Sequence, residues 1–514
     1  MATLVRAPEA ARSRRVRREP RLAEVAVLAA PAAVAIALCL YQLTTRSLWL
    51  DEAATVAIAG QHGSALWSAI SHDGGNMLGY YALLHVLIGW FGHGALVIRL
   101  PSVLAAGGTA AAVSLLALRI FDRRVALAGG LLTAVSLPLV FWGQDARGYA
   151  AMIALVAGSF AAFAALVETG SRRSWIAYAV LTVLAVYASF VAILAVPAQL
   201  VVLAWRREAW RRVAAALGAC VVCWVPLGVL AASRGSGQLF WIPHPSAQLE
   251  KQVILALTSA GFEPNFRPTW VAGALAIVTM LLVAAAFVRR PVPWGARLGL
   301  AWLIVPVGLM WLWSLVGPPL FTPRNALVSL PAVALLLGWL VTRWRLGWVA
   351  VTVVLALRVV ALAPSYGTSP ENWRAATHYI TAYERPGDCL AFYPLDTRMP
   401  FAYYDRAPVK PYIERYDTPS LPADCRRVWL VASHQGLPTG TDISRAHFAR
   451  YVALRTRLNR EFAGHRTRAF GYASVIWVEL FYGRSVVPTN VSALSPTSAT
   501  AFTHSRTVKA RPRT

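Results

Sequence analysis

Long apolar runs separated by short basic loops set the pattern of this chain. Eleven runs are long enough to read as membrane-spanning helices, at about 22–43, 95–118, 125–142, 149–167, 175–188, 190–205, 212–232, 270–288, 297–316, 325–342 and 347–363. A helix needs roughly 20 apolar residues to cross a bilayer, and several of these runs are shorter. Residues 174–205 are long for one span and short for two. Basic residues at both ends favour a hairpin that turns near 187–189. The apolar run Leu78–Phe91 is too short to cross comfortably and is expected to lie along the outer interface as an amphipathic helix. After residue 363 the pattern changes. Residues 371–384 and 443–458 read as helices, and 389–393, 427–432 and 473–481 read as strands by their β-branched and aromatic content. Mixed helix and strand there predicts a small α/β domain.

Charge gives the pattern a direction. Arg6, Arg12, Arg14, Arg15, Arg17, Arg18 and Arg21 precede or open the first run, which places its start in the cytoplasm. Arginines then recur in every second loop: Arg119, Arg123 and Arg124; Arg172 and Arg173; Arg206, Arg207, Arg211 and Arg212; Arg289, Arg290 and Arg297; Arg343 and Arg345. With eleven spans these loops are all cytoplasmic, and the C-terminal region lies outside the cell membrane. The chain divides into a basic cytoplasmic start (1–21), a membrane module (22–363), an extracytoplasmic α/β domain (364–484) and a Ser-, Thr- and Pro-rich tail (485–514) expected to be disordered. No small-residue cleavage site follows a short apolar core, so the first run is expected to stay as a span.

Composition agrees with this class. The 514 residues are 57% hydrophobic and 14% charged, against about 25% charged in soluble domains. The net charge of +26 would suggest nucleic acid, but most arginines sit in loops where they orient spans, so nucleic acid is excluded as a partner. Cys220 and Cys223 have CxxC spacing but lie in an apolar helix without a nearby histidine, and are assigned to packing. Cys389 and Cys425 fall in the outer domain, where a disulfide can form.

The candidate chemistry lies in the outer loops. The first holds Trp49, Asp51 and Glu52, then His72, Asp73 and Gly74-Gly75-Asn76. The second is Gly143-Gln144-Asp145-Ala146-Arg147-Gly148-Tyr149. The third carries Trp241, His244, Lys251, Glu263 and Arg267. The fourth is Gly317-Pro-Pro-Leu-Phe-Thr-Pro323-Arg324-Asn325. A carboxylate at such a boundary can take a proton from a hydroxyl acceptor. Arginine can hold a phosphate by forked hydrogen bonds. The residue types have structural readings too. Asp145 and Arg147 can pair with each other, Arg324 can reach toward lipid headgroups, and Arg99 at the start of a span reads as structural. His72 and Asp73 with Asp51 match no metal-ligand spacing, and the need for a divalent metal stays open.

The order of these motifs resembles the GT-C glycosyltransferases. The motifs are Trp-x-Asp-Glu after the first span, Arg-Leu-Pro-Ser at 99–102, Asp-x-Arg-x-Tyr at 145–149 and Pro-Arg-Asn at 323–325. The nearest resemblance is to the protein O-mannosyltransferases and the aminoarabinose transferases of lipid A, over roughly residues 22–363. It implies a helical polytopic membrane fold of GT-C type. The implied reaction is inverting transfer of a sugar, mannose by resemblance, from a polyprenyl-phosphate donor. The acceptor would be a hydroxyl on protein, lipid or polysaccharide, outside the plasma membrane. It also implies Asp51 as the catalytic aspartate, Glu52 as its acidic neighbour, Asp145 as the acidic residue of the second outer loop, and Arg324 on the donor phosphate; Arg147 is a second candidate for that phosphate by its place in the loop. Trp49, His72, Asp73 and Tyr149 are the substrate-side candidates. The chain departs from the family at His72-Asp-Gly-Gly-Asn76 and at Arg324-Asn325, which bears on the sugar and the acceptor. The rival class is a transporter or flippase of a lipid-linked or polar envelope substrate. Such proteins usually show internal repeats and midplane charges, whereas these charges sit in outer loops.

Overall fold

A computed structural model of the protein describes residues 9–484, apart from 236–238, 240–241, 260–269, 289–291, 346, 367, 406–424, 439–441 and 473. Trp241, Glu263, Arg267 and the tail 485–514 lie outside the described residues.

Seven described helices are long and apolar enough to cross a membrane: Leu22–Leu40, Ala95–Ile120, Tyr149–Thr169, Arg207–Arg234, Trp294–Val316, Pro323–Val341 and Gly347–Tyr366. A further apolar pair, Arg123–Ala134 followed by Leu137–Gly143, is bent by 59° and is long enough to count as an eighth span if taken as one. Pro138 explains the break: it has no amide to donate, and its ring would crowd the carbonyl one turn back. The buried guanidinium of Arg358 reaches across from Gly347–Tyr366 and donates to the Leu132 carbonyl, near the end of the first segment. A cation there complements the negative end of that helix.

The remaining runs form shorter apolar helices, Phe190–Trp205 and Gly273–Ala284, together with the helix Arg172–Ala188. The chain does double back at Ser189. The Tyr178 hydroxyl donates to Gln199 at 2.7 Å, although 21 residues of straight helix would part them by about 30 Å. Gln199 also donates to Ser159, which bonds Thr182, so a small polar network ties three helices inside an apolar bundle. Leu78–Phe91 is a separate helix whose inner face buries Tyr80, Tyr81 and Leu84.

The bundle is centred on Pro323–Val341, which is almost wholly buried. Close crossings depend on small residues: a Cβ on Gly107 would come within 2.7 Å of Ile36. Trp302 stacks on Phe160 at 3.9 Å and donates its indole N–H to the Val328 carbonyl.

The C-terminal domain is a four-stranded sheet. Its strands are β1 (Asp388–Tyr393), β2 (Arg427–Ala432), β3 (Phe462–Phe470) and β4 (Ile476–Arg484), in the order β1-β2-β4-β3. β1 and β2 are parallel, and β4 is antiparallel to both β2 and β3. Alternation along β2 gives the sheet two cores. Val428, Leu430 and Ala432 face helix Asp442–Glu461, while Trp429 and Val431 face helix Trp373–Tyr383. A disulfide joins Cys389 of β1 to Cys425, just before β2.

Candidate active site

The site begins with the helix Leu50–Ala59, whose first turn carries Asp51 and Glu52. Unpaired amides at a helix start favour negative charge. Neighbouring helical residues point about 100° apart, so the two carboxylates diverge.

Glu52 points inward and is fully buried. Its Oε1 accepts from Arg99 Nε at 2.8 Å and from the Ala146 amide at 2.9 Å, and its Oε2 accepts from Arg99 Nη2 at 2.7 Å. Arg99 Nη1 in turn donates to the carbonyls of Leu43 and Arg46 at 2.7 and 3.1 Å. One ion pair thus fastens the exit of the first span, the helix Ala95–Ile120 and the second outer loop together.

Asp51 points the other way, with its side chain 29% exposed. Its Oδ2 lies 3.2 Å from Arg324 Nη1 and 3.7 Å from Arg147 Nη2. Burial opposes the charge of Asp51, but Arg147 and Arg324 outweigh it and hold the carboxyl below its usual range. Arg324 emerges from a short turn, Pro323–Ala326. Thr322 caps that turn by accepting from the Asn325 amide, and Pro323 sits at the first position, where its missing N–H is not needed. The Arg324 guanidinium also lies 5.7 Å from the Trp49 ring.

Arg147 comes from the second outer loop. Its Nη1 donates to Thr55 at 3.1 Å, and it reaches the Tyr81 hydroxyl and the Asp51 carbonyl, each at 3.5 Å. Tyr81 donates to Asp73 Oδ2 at 2.8 Å. The next residue, Gly148, is forced by close packing, since a Cβ there would stand 2.5 Å from the Ala188 carbonyl.

Asp145 is fully buried behind this cluster, and its Oδ1 accepts from Trp49 Nε1 at 2.8 Å. Burial, reinforced by the charge of Glu52, pushes its carboxyl well above the usual range. Tyr149 is buried against Trp142, with ring centroids 4.3 Å apart. His72 is exposed at the end of its helix and forms none of the cluster's hydrogen bonds or ion pairs among the described residues. In the third outer segment, His244 bonds the Ser314 carbonyl and Lys251 is exposed.

The structure therefore gathers Asp51, Arg147, Arg324 and Trp49 in one cluster, with Asp73 reached through Tyr81. Glu52 and Asp145 lie beneath. The donor set does not suit a divalent cation, because Asp51 faces two arginines, Glu52 is forked by Arg99 and Asp73 is taken by Tyr81. Among the described residues, no three His, Cys, Asp or Glu side chains come together as a metal site.

Sequence reasoning missed four participants. Arg46 is buried over the Phe141 ring at 4.2 Å and donates to the Gln144 carbonyl at 3.2 Å, shaping the second loop. Tyr81 looked like one more aromatic in an apolar helix. Glu371 and His434 come from the C-terminal domain. Glu371 Oε2 accepts from the Leu50 amide at 3.0 Å, and its Oε1 lies 3.2 Å from His434 Nε2. Their part in the site depends on contacts more than 300 residues apart, and no local motif marks it.

Comparison with known proteins finds similarity in fold and in part of the sequence. A family model described as dolichyl-phosphate-mannose-protein mannosyltransferase matches residues 73–230. The crystal structure of ArnT from Cupriavidus metallidurans bound to undecaprenyl phosphate superposes with a TM-score of 0.54 at 15% identity, covering 87% of this chain and 97% of that one. The archaeal oligosaccharyltransferase AglB from Archaeoglobus fulgidus, in complex with an inhibitory peptide and a dolichol-phosphate, gives a TM-score of 0.47 at 13% identity, covering 78% of this chain and 61% of that one. No curated protein sequence matches the chain. In fold, the chain is similar to ArnT over most of both chains, and the mannosyltransferase family model matches it over residues 73–230.

Proposed function

We propose that the protein is a membrane glycosyltransferase that moves a sugar from a polyprenyl-phosphate donor to a hydroxyl acceptor on the extracytoplasmic face. The observation that carries this reading is a partly exposed Asp51 between Arg324 and Arg147. A glycosyl phosphate needs that combination. The acceptor hydroxyl gives its proton to Asp51 while its oxygen forms a bond to the anomeric carbon. The bond from that carbon to the phosphate oxygen breaks, and the polyprenyl phosphate leaves with the electron pair. The two guanidiniums meet the growing charge on the phosphate, and attack opposite the leaving group inverts the anomeric centre. Asp51 is suited to the base role because the arginines keep it ionised at neutral pH.

Glu52 and Asp145 support this chemistry from below. Glu52 locks the loops through Arg99, and Asp145 orients Trp49. The donor class is supported by ArnT, which was solved with undecaprenyl phosphate. The family match favours mannose as the sugar. The Cys389–Cys425 disulfide supports an extracytoplasmic C-terminal domain, since disulfides persist in oxidising compartments.

The test is transfer of radiolabelled sugar from a panel of polyprenyl-phosphate sugars into a cell-envelope extract by the purified protein. Asp51→Asn keeps shape but cannot take a proton. It is expected to bind donor and lose transfer by at least about 100-fold, the lower end of what positioned bases contribute. Arg324→Ala should instead weaken donor binding by about 1.5–3 kcal/mol, and Arg324→Lys should restore only part because the fork is lost. Parental transfer by Asp51→Asn would remove it from the base role.

A further inference from the structure

The segment that leads into Asp51 is held by the C-terminal domain. The Ser47 amide donates to Ser369 Oγ at 3.0 Å, the Leu48 amide to the Tyr404 hydroxyl at 2.7 Å and the Leu50 amide to Glu371 Oε2 at 3.0 Å. From the other side, the Arg374 amide donates to Ser47 Oγ, and the Arg374 guanidinium donates to the Thr44 and Thr45 carbonyls. A helix start usually finds a partner for its amides in its own N-cap side chain. Here that residue is Trp49, whose side chain caps nothing. Glu371 does it instead, from 321 residues further along the chain.

Glu371 is itself fixed. It is 2% exposed, and Oε2 also accepts from Trp373 Nε1 at 2.7 Å. Its other oxygen meets His434 Nε2 at 3.2 Å, and His434 Nδ1 lies 3.1 Å from Ser433 Oγ. His434 follows the end of β2 with φ +53°, a left-handed conformation that a side-chain-bearing residue seldom adopts. Such backbone persists where its surroundings determine it, and that is common at functional sites. Burial works against a charged imidazole here, but the bond to Glu371 outweighs it and raises the His434 pKa. The charged groups that face His434 are Glu371, Asp51 and Arg324, and those that face Asp51 are Arg147, Arg324, His434 and Asp73.

We propose that Glu371 and His434 are positioning residues of the Asp51 site. Glu371 fixes the first turn of the helix that carries Asp51, and His434 holds the second carboxylate oxygen of Glu371 in place. The proposal rests on the reading of Asp51 as the base. It makes the C-terminal domain a part of the catalytic centre.

The test uses the full-length protein in lipid nanodiscs and has two readouts. Amide hydrogen exchange over residues 48–52 reports the cap directly, without any substrate. Glu371→Met is close in size but has no oxygen to accept the Leu50 amide, and should speed that exchange; it should also lower kcat by about tenfold with the donor KM little changed, as expected of a misplaced reacting group. His434→Gln removes a cation that favours ionised Asp51, so the acid limb of the transfer rate should move to higher pH. A purely structural histidine would leave that limb in place. Parental exchange, kcat and acid limb in both variants, with Asp51→Asn inactive in the same preparation, would overturn this proposal and leave the Asp51 reading intact. Parental transfer by Asp51→Asn would sink that reading, and the exchange data would still decide whether Glu371 is the cap. If Glu371→Met fails to fold, exchange and the acid limb of His434→Gln decide.

Discussion

Asp51 and Glu52 are chemically close and adjacent, yet their surroundings set them to opposite tasks. Glu52 and Arg99 are both fully buried and joined by two hydrogen bonds. Removing one member of a buried pair leaves the other charge without compensation, at about 3–5 kcal/mol. Glu52→Gln is therefore expected to lower thermal stability strongly, and Glu52→Gln combined with Arg99→Met should recover part of the loss. A Glu52→Gln protein that melts like the parent but has lost transfer would show a chemical role instead. The acidic pair itself was legible in the sequence, because two carboxylates beside a span require an explanation. Their division of labour was not. It depends on Arg99 and Ala146, brought to Glu52 from 47 and 94 residues away. Asp145 shows the same limit: its spacing suggested a second acid, and only packing reveals that it holds Trp49.

At the level of elements, β-branched and aromatic content marked the strands that are buried on both faces. The strands at 427–432 and 389–393 and the helix at 373–383 lie close to where the pattern placed them. β3 escaped detection for a physical reason. It is an edge strand with Arg466 and Arg468 and few buried side chains, and charge on an edge discourages further pairing. The run at 125–142 read as one span because its hydropathy is continuous, whereas Pro138 and Arg358 make it two pieces. The disulfide belongs to this scale as well. It closes a loop across a separation of 36 residues, which the chain-entropy model values at roughly 3–4 kcal/mol. Reductant should therefore lower the melting temperature of the parent but not of a Cys389→Ser, Cys425→Ser double variant. Equal melting of the parent with and without reductant would show that the bond contributes nothing.

Across the whole molecule, the C-terminal domain is tied to the helical bundle through side chains. Tyr366 donates to the Leu38 carbonyl at 2.8 Å and Tyr403 to the His93 carbonyl at 2.9 Å, beside the contacts to residues 44–50. Two mechanically separate domains would be insensitive to each other's loss. Here, a chain ending at residue 364 is expected to insert into membranes yet show no transfer, with enhanced amide exchange at 48–52. Full activity from that shortened chain would contradict a shared site.

The amide of Leu50 meets its partner only after another 321 residues have been made. The helix that bears Asp51 leaves the ribosome well ahead of Glu371. The membrane helices can therefore be in place before the first turn of that helix has its final partner. A chain stalled or clipped before residue 371 would lack that partner, so amide exchange at residue 50 should separate it from the full-length protein.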